Sequence, residues 1–215
     1  MTPEAFVERL GRVRATAILR TSLADAAAPA MDAAIRGGFR LVEFTLSVPN
    51  AVEQIAVFSR REDLVVGAGT VLTRTEARDA VRAGARFLVS PIVDEAVIEE
   101  ARSLGVAMMP GCHTPTEMMR AHRAGAALQK LFPAPGSGPD FVRACLGPLP
   151  FLRIVPTSGV DPSNAAAWLA AGCFAVGFVG SLFDPTAMAQ GRYDVIEERA
   201  RQCIAAVGSE TKVGR

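Results

Sequence analysis

The sequence repeats one pattern about every twenty residues: a helix-period stretch, a glycine break, then a short apolar run. The breaks are Gly38, Gly84, Gly105, Gly125 and Gly172, and their separations of 46, 21, 20 and 47 read as two units, one, one and two. The runs LVEFTL, FLVSP, VAMMP, LQKLFP and FAVGFVG follow them, and ATAILR, LVVGAGTV and LRIVP complete a set of eight. Helix-period segments follow each run, ending with YDVIEERARQCIAAV. Helix starts fall where this requires. Thr73 with Glu76 and Thr114 with Glu117 form capping boxes, and Asp161 stands before Pro162 as a cap before a first-turn proline.

Strands without polar alternation, joined by helices, predict a parallel sheet covered on its outer face. Eight units of it close into a (β/α)8 TIM barrel of the α/β class. An open doubly wound sheet is the alternative. At 215 residues the loops are short and one domain is expected over residues 1–215, with 1–13 an extra helix capping the barrel bottom and 207–215 a polar tail.

Composition narrows the partners. The 23 basic residues against 22 acidic ones leave a formal charge of +1, without the electrostatic footprint of a nucleic-acid or anionic-membrane binder. The longest apolar run, Cys173 to Phe183, is too short for a membrane span, and residues 1–14 lack the apolar stretch of a signal peptide. Cys112, Cys145, Cys173 and Cys203 form no CxxC pair, so no disulfide framework is expected. A cytoplasmic protein with a small-molecule partner is the reading.

Active sites of such barrels form at the C-terminal strand ends. The polar residues there are Arg20, Glu43, Thr45, Thr70, Ser90 before Pro91, His113, Lys130, Thr157, Ser158, Gly159, Gly180 and Ser181. Lys130 and Glu43 differ because they lie within strands. Side chains alternate, so Leu128, Lys130 and Phe132 share one face of strand six, and Leu41, Glu43 and Thr45 one face of strand two. Both strands are even-numbered, and alternate strands fill one interior layer. If those faces point inward, the interior holds an ammonium and a carboxylate; the alternatives are a structural ion pair, which contributes little net stability, or charges on outward positions that reach solvent around the helices. A lysine among Leu128, Leu131 and Phe132 is disfavoured in its charged form, which frees the amine as a nucleophile beside a carboxylate able to move protons. Only two lysines occur, Lys130 and Lys212, among 23 basic residues. Arginine could not replace Lys130, because guanidinium does not deprotonate.

The loops PTSGVDPSN and VGFVGSLF, after strands seven and eight, suit a phosphate held on backbone N–H groups near a helix start, with Ser158 and Ser181 as hydroxyl donors. His113 and His122 lack metal-ligand spacing, and Cys112 beside His113 is only a dipeptide pair. The GAGT at Gly67 to Thr70 lacks the rest of a dinucleotide fingerprint, and Met118, Met119 and Trp168 read as packing residues.

The segments VEFTL, VGAGTVL, AGARFLVSP, PGCHTPTE, KLFPA, PTSGVDPSN and GSLFD, in order from about Arg14 to Ala206, resemble the class I 2-keto-3-deoxy-6-phosphogluconate aldolase family. That family includes the 6-phosphogalactonate and 4-hydroxy-2-oxoglutarate aldolases. The resemblance implies a (β/α)8 barrel, a homotrimer, no metal, and no cofactor beyond a Schiff base through Lys130, with a phosphorylated keto acid and pyruvate as partners. It makes Lys130 the Schiff-base lysine and Glu43 the proton shuttle. Thr70 and Pro91 would line the pyruvate end, Phe132 would pack beside the lysine, and Arg20 matches the galactonate branch's substrate-binding arginine. Gly159, Gly180 and Ser181 would hold the phosphate. Ser47 stands where the gluconate branch has an arginine, and Ser158-Gly159 replaces a glycine pair. Thr157 is associated with the gluconate configuration, so branch signals conflict. The resemblance therefore predicts a retro-aldol lyase giving pyruvate and glyceraldehyde 3-phosphate. The alternatives are the same chemistry on 4-hydroxy-2-oxoglutarate, or a non-catalytic phosphate-ligand-binding barrel.

Overall fold

A computed structural model describes residues 1–208. The eight runs are eight strands: β1 Ala15–Leu19, β2 Leu41–Thr45, β3 Val65–Gly69, β4 Phe87–Ser90, β5 Ala107–Cys112, β6 Gln129–Leu131, β7 Ile154–Pro156 and β8 Val176–Phe178. All pair in parallel in the order β7-β6-β5-β4-β3-β2-β1-β8. A single bridge, Thr157 to Gly177, joins the two ends of that order and brings the ring close to closure. The fold is a (β/α)8 barrel.

The helices are α1 Pro3–Val13, α2 Ala24–Arg36, α3 Ala51–Phe58, α4 Arg74–Arg82, α5 Glu95–Ser103, α6 Pro115–Arg123, α7 Pro139–Leu146, α8 Ala165–Ala170, α9 Pro185–Ala189 and α10 Tyr193–Val207. Both capping boxes are present, at Thr73 with Glu76 and at Thr114 with Glu117. The five break glycines take positive φ values of 69° to 118°, reversing the chain after α2, α4, α5, α6 and α8 at little steric penalty.

Three details differ from the sequence reading. The helix expected directly after Asp161 begins only at Ala165: the Asp161 carboxylate instead accepts from the backbone N–H groups of Ser163 and Asn164, closing a turn first. The short α9 was not anticipated. Val207, assigned to the tail, is the last residue of α10, and the rest of that tail, 209–215, lies outside the described residues.

The strands present two apolar surfaces. Outward residues such as Val42, Phe44, Val66, Leu88 and Leu131 pack beneath the helices. Inward residues Leu41, Val65, Phe87, Val89, Met109, Leu128 and Val155 form a separate interior cluster. It is closed from below by α1, whose Phe6 stacks on Phe87 with ring centroids 4.5 Å apart and whose Leu10 is fully buried. Thr2 caps that helix by accepting from Ala5 N–H. Among the described residues no helix is long and apolar enough to cross a membrane.

Candidate active site

Register decides which side chains share a level. Cα partners run Ile18, Glu43, Gly67, Phe87, Ala107 from β1 to β5, and Gly111 with Lys130 continues to β6. A barrel of this kind staggers by about one residue per strand. Advancing one residue per strand from Glu43 reaches Val89 on β4, Lys130 on β6 and Gly177 on β8. These four form one layer, with Lys130 and Glu43 on opposite walls.

Lys130 is 5% exposed and Glu43 fully buried. Burial pushes the Lys130 pKa below the usual lysine range, the Glu43 charge opposing this in part. Burial likewise raises the Glu43 pKa, against the pull of Lys130 and Arg20. Neither Glu43 carboxylate oxygen has a hydrogen-bond partner among the described residues, so Lys130 and Glu43 face each other without a contact ion pair. The Lys130 Nζ lies 5.1 Å from the centroid of the Phe132 ring. A structural ion pair would close the distance; this one does not.

Glycines around the two side chains admit their neighbours closely, Gly69 the Glu43 carboxylate itself. A Cβ on Gly69 would stand 1.9 Å from Glu43 Oε1, and one on Gly111 would stand 2.2 Å from the Pro91 carbonyl oxygen. On Gly177 it would meet the Thr157 and Ile18 side chains at 2.6 and 2.7 Å. The layer above Lys130 is therefore Ile18, Gly69, Gly111 and Thr157, two of them without side chains. Sequence reading missed the packing roles of Gly69, Gly111 and Gly177 because a strand glycine reads as weakness. The detectable signal was Gly67 and Gly69 two apart in one strand, on the inward face shared with Val65.

The remaining expected residues gather at the mouth. Arg20, just past β1, donates to Thr70 Oγ1 at 3.1 Å, and Thr70, just past β3, sits in the left-handed region at φ 59°. Pro91 and Phe132 belong by register to the layer above Gly69, together with Thr45. Thr157 is buried with an unpartnered hydroxyl, and its backbone forms the bridge that joins the ends of the sheet. Ser158 and Gly159 follow with φ of 63° and 90°, so a serine occupies a backbone region that favours glycine. The Ser181 hydroxyl donates to the Val160 carbonyl at 2.8 Å, tying the β8 loop to the β7 loop. What Ser181 offers a ligand in this arrangement is its backbone N–H. Nothing lies within 4 Å of the Cβ position of Gly180, so that backbone is approachable.

Other candidates fall away from the site. Burial pushes the Cys112 thiol up to about 12, while the neighbouring His113 is exposed and its Nδ1 lies 2.9 Å from the Pro133 carbonyl oxygen. The dipeptide is not a thiol–imidazole pair. Met118 and Trp168 are buried in the outer core.

The sequence matches the family described as KDPG and KHG aldolase over residues 7–199. The 2-dehydro-3-deoxy-6-phosphogalactonate aldolase of Escherichia coli is 35% identical over 170 residues, 78% of this chain and 83% of that protein. The 2-dehydro-3-deoxy-phosphogluconate aldolase of Treponema pallidum is 36% identical over 165 residues, covering 76% and 79%. A structure of KDPG aldolase from Legionella pneumophila, with pyruvate captured as a covalent carbinolamine intermediate, superposes with TM-score 0.83 at 25% identity, covering 97% and 99%.

Proposed function

The chain belongs to the KDPG and KHG aldolase family and is a carbon–carbon lyase, and on that premise we propose that Lys130 cleaves a 2-keto-3-deoxy-6-phospho sugar acid through a Schiff base. The observation carrying this is a buried lysine and a buried carboxylate facing each other in one layer, unpaired, with Gly69 leaving room for the carboxylate. The Lys130 amine, kept from its charged form by burial, attacks the C2 ketone. Glu43 assists loss of water to the iminium, and that cation accepts the electron pair when the C3–C4 bond breaks. Glu43 takes the C4 hydroxyl proton and returns one to C3 of the enamine. Hydrolysis then releases pyruvate, with glyceraldehyde 3-phosphate as the other product. The Legionella carbinolamine supports this chemistry by likeness. No metal or further cofactor enters any step.

In the same reading Thr70 and Pro91 line the pyruvate end, with Phe132 beside the amine. Arg20, braced by Thr70, reaches the substrate from β1. The backbone at Ser158, Gly159, Gly180 and Ser181 receives the phosphate, with Thr157 beside the C4 centre. We take the protein to be a cytoplasmic homotrimer; exposed Leu72, Ile92 and Phe151 are apolar surface that an oligomer would cover.

Assays of pyruvate release test the substrate assignment. The expected result is a higher kcat/KM for phosphorylated substrate, gluconate or galactonate, than for 4-hydroxy-2-oxoglutarate. Equal constants with and without phosphate would defeat the phosphate assignment, and no cleavage of any of them would favour a binding barrel.

A further inference from the structure

Thr45 has no role in the mechanism above, yet it is a fully buried polar residue on the inward face of β2, two residues beyond Glu43. Its Oγ1 lies 2.9 Å from the Ser47 Oγ, and either can be the donor. Ser47 is exposed and lines a cleft of about 590 Å³ with Arg20, Thr21, Ser22, Leu23 and Met188. The pair thus runs from the barrel interior to an open surface cleft.

Its inner end is at the level of the Glu43 carboxylate. Glu43 Oε1 stands 1.9 Å from where a Cβ on Gly69 would be, and Gly69 is the Cα partner of Thr45 across β2 and β3. Neighbouring strands are about 4.8 Å apart. By register the carboxylate therefore stands beside β3 at about the level of Thr45, and a water molecule between the two would complete the link. That carboxylate has no hydrogen-bond partner among the described residues, and Glu43 has no exposed surface. A buried acid that exchanges protons needs a hydrogen-bonded route to solvent.

We infer that the Thr45–Ser47 hydroxyl pair is the route by which Glu43 exchanges its proton with bulk solvent. The inference rests on the reading of Glu43 as the proton carrier. Protonated Glu43 gives its proton to a bridging water, which passes one to Thr45 Oγ1. Thr45 passes its own to Ser47 Oγ, and Ser47 releases one to solvent in the cleft. Each oxygen gains and loses one proton, and the net change is one proton moved from Glu43 to solvent. Rotation of the two hydroxyls resets the chain in the opposite sense, which the undirected 2.9 Å contact permits. Cleavage itself does not need the route, because the proton taken from the C4 hydroxyl returns to C3. Exchange of pyruvate methyl protons with solvent does need it. There Glu43 removes a C3 proton from the pyruvate iminium, must trade it, and returns a different one.

The test follows pyruvate methyl exchange in D2O by proton NMR, alongside the rate of borohydride-trapped pyruvate adduct, in wild type, Thr45→Val, Thr45→Ser and Ser47→Ala. The expected result is an exchange-to-trapping ratio at least about tenfold lower in Thr45→Val, a modest part of the range for a positioned proton-transfer group. Ser47→Ala should lower the ratio in the same direction, and Thr45→Ser should restore it. A merely structural fault would lower trapping and exchange together and leave the ratio in place, which overturns the route. Unchanged ratios in Thr45→Val and Ser47→Ala overturn it as well, while leaving the Schiff-base reading standing. A wild-type protein that neither traps pyruvate nor exchanges its methyl protons overturns both.

Discussion

The two halves of the barrel interior are built from the same eight strands and differ in what those strands turn inward. The lower half holds Leu41, Phe87 and Leu128 with Phe6 and Leu10 driven in from α1, every one of them buried to within a few per cent. Even Gly67 serves this packing, since a Cβ there would stand 2.4 Å from the Phe87 ring. The upper half holds Glu43, Lys130 and Thr157, with Gly69, Gly111 and Gly177 beside them. In every case the missing side chain admits a neighbour: the Phe87 ring at Gly67 below, and above, the Glu43 carboxylate at Gly69, the Pro91 backbone at Gly111 and the Thr157 and Ile18 side chains at Gly177. Both charged side chains of the interior lie in the upper half, while the lower half is apolar apart from the buried Thr16, as expected where function needs groups that packing alone would exclude.

Substitutions of similar size should therefore have opposite signatures in the two halves. The largest effect is expected for Lys130→Ala, which should lose roughly 10⁴-fold or more in kcat with an unchanged circular dichroism spectrum. Residual activity within tenfold of wild type would move the nucleophile elsewhere. In the lower half, Phe87→Ala removes a fully buried ring and its stack with Phe6. Urea unfolding should show a loss of about 3–5 kcal/mol, with kcat per folded molecule nearly unchanged. A larger effect on kcat than on stability there would erase the distinction between the halves.

Gly69→Ala adds one methyl where Glu43 Oε1 now stands, so the carboxylate must shift. The expectation is a loss of about 10²-fold in kcat, read in steady-state assays, with pyruvate trapping less affected. Normal turnover would mean that Glu43 does its work from another position. The smallest effect on stability is expected for the double variant Lys130→Met with Glu43→Leu, as inactive as Lys130→Ala but between neutral and about 1–4 kcal/mol more stable than wild type.

That double variant should also flatten the pH dependence of stability. The raised pKa of Glu43 makes the native chain hold a proton that the unfolded chain has released, so stability falls as pH rises from 4.5 towards the raised value. The lowered pKa of Lys130 makes the native chain shed its proton first. Stability therefore rises as pH climbs from the lowered value towards 10.5. Urea midpoints across pH should carry both slopes in wild type and neither in the double variant.

The sequence exposed what is periodic and what is chemically costly. Five glycine breaks marked the helix ends, and all five take the backbone conformation that only glycine adopts readily. The alternation around Lys130 and Glu43 grouped each with its face-sharing neighbours, because period-2 side-chain direction is local information, but which face is inward was decided by closure of the ring. Hidden were features that depend on neighbours across strands. That Gly69 shelters Glu43, that Gly111 makes way for Pro91, and that Arg20 is braced by Thr70 are facts of register, decided between segments dozens of residues apart. The hydroxyl of Ser181 looked free in sequence, and only the meeting of the β7 and β8 loops gives it to Val160. The Asp161 turn was misread for a simpler reason: the same carboxylate that can cap a helix can close the turn before one.

Everything proposed for the upper half depends on Lys130 being a nucleophile, and reduction of the protein with borohydride in the presence of pyruvate tests this most directly. Intact-mass measurement should show one pyruvate-derived adduct per chain, and peptide mapping should place it on Lys130 rather than on Lys212 or the N-terminal amine. The adduct should vanish in Lys130→Ala. No adduct in the wild type, or an adduct that persists in Lys130→Ala, would contradict the account.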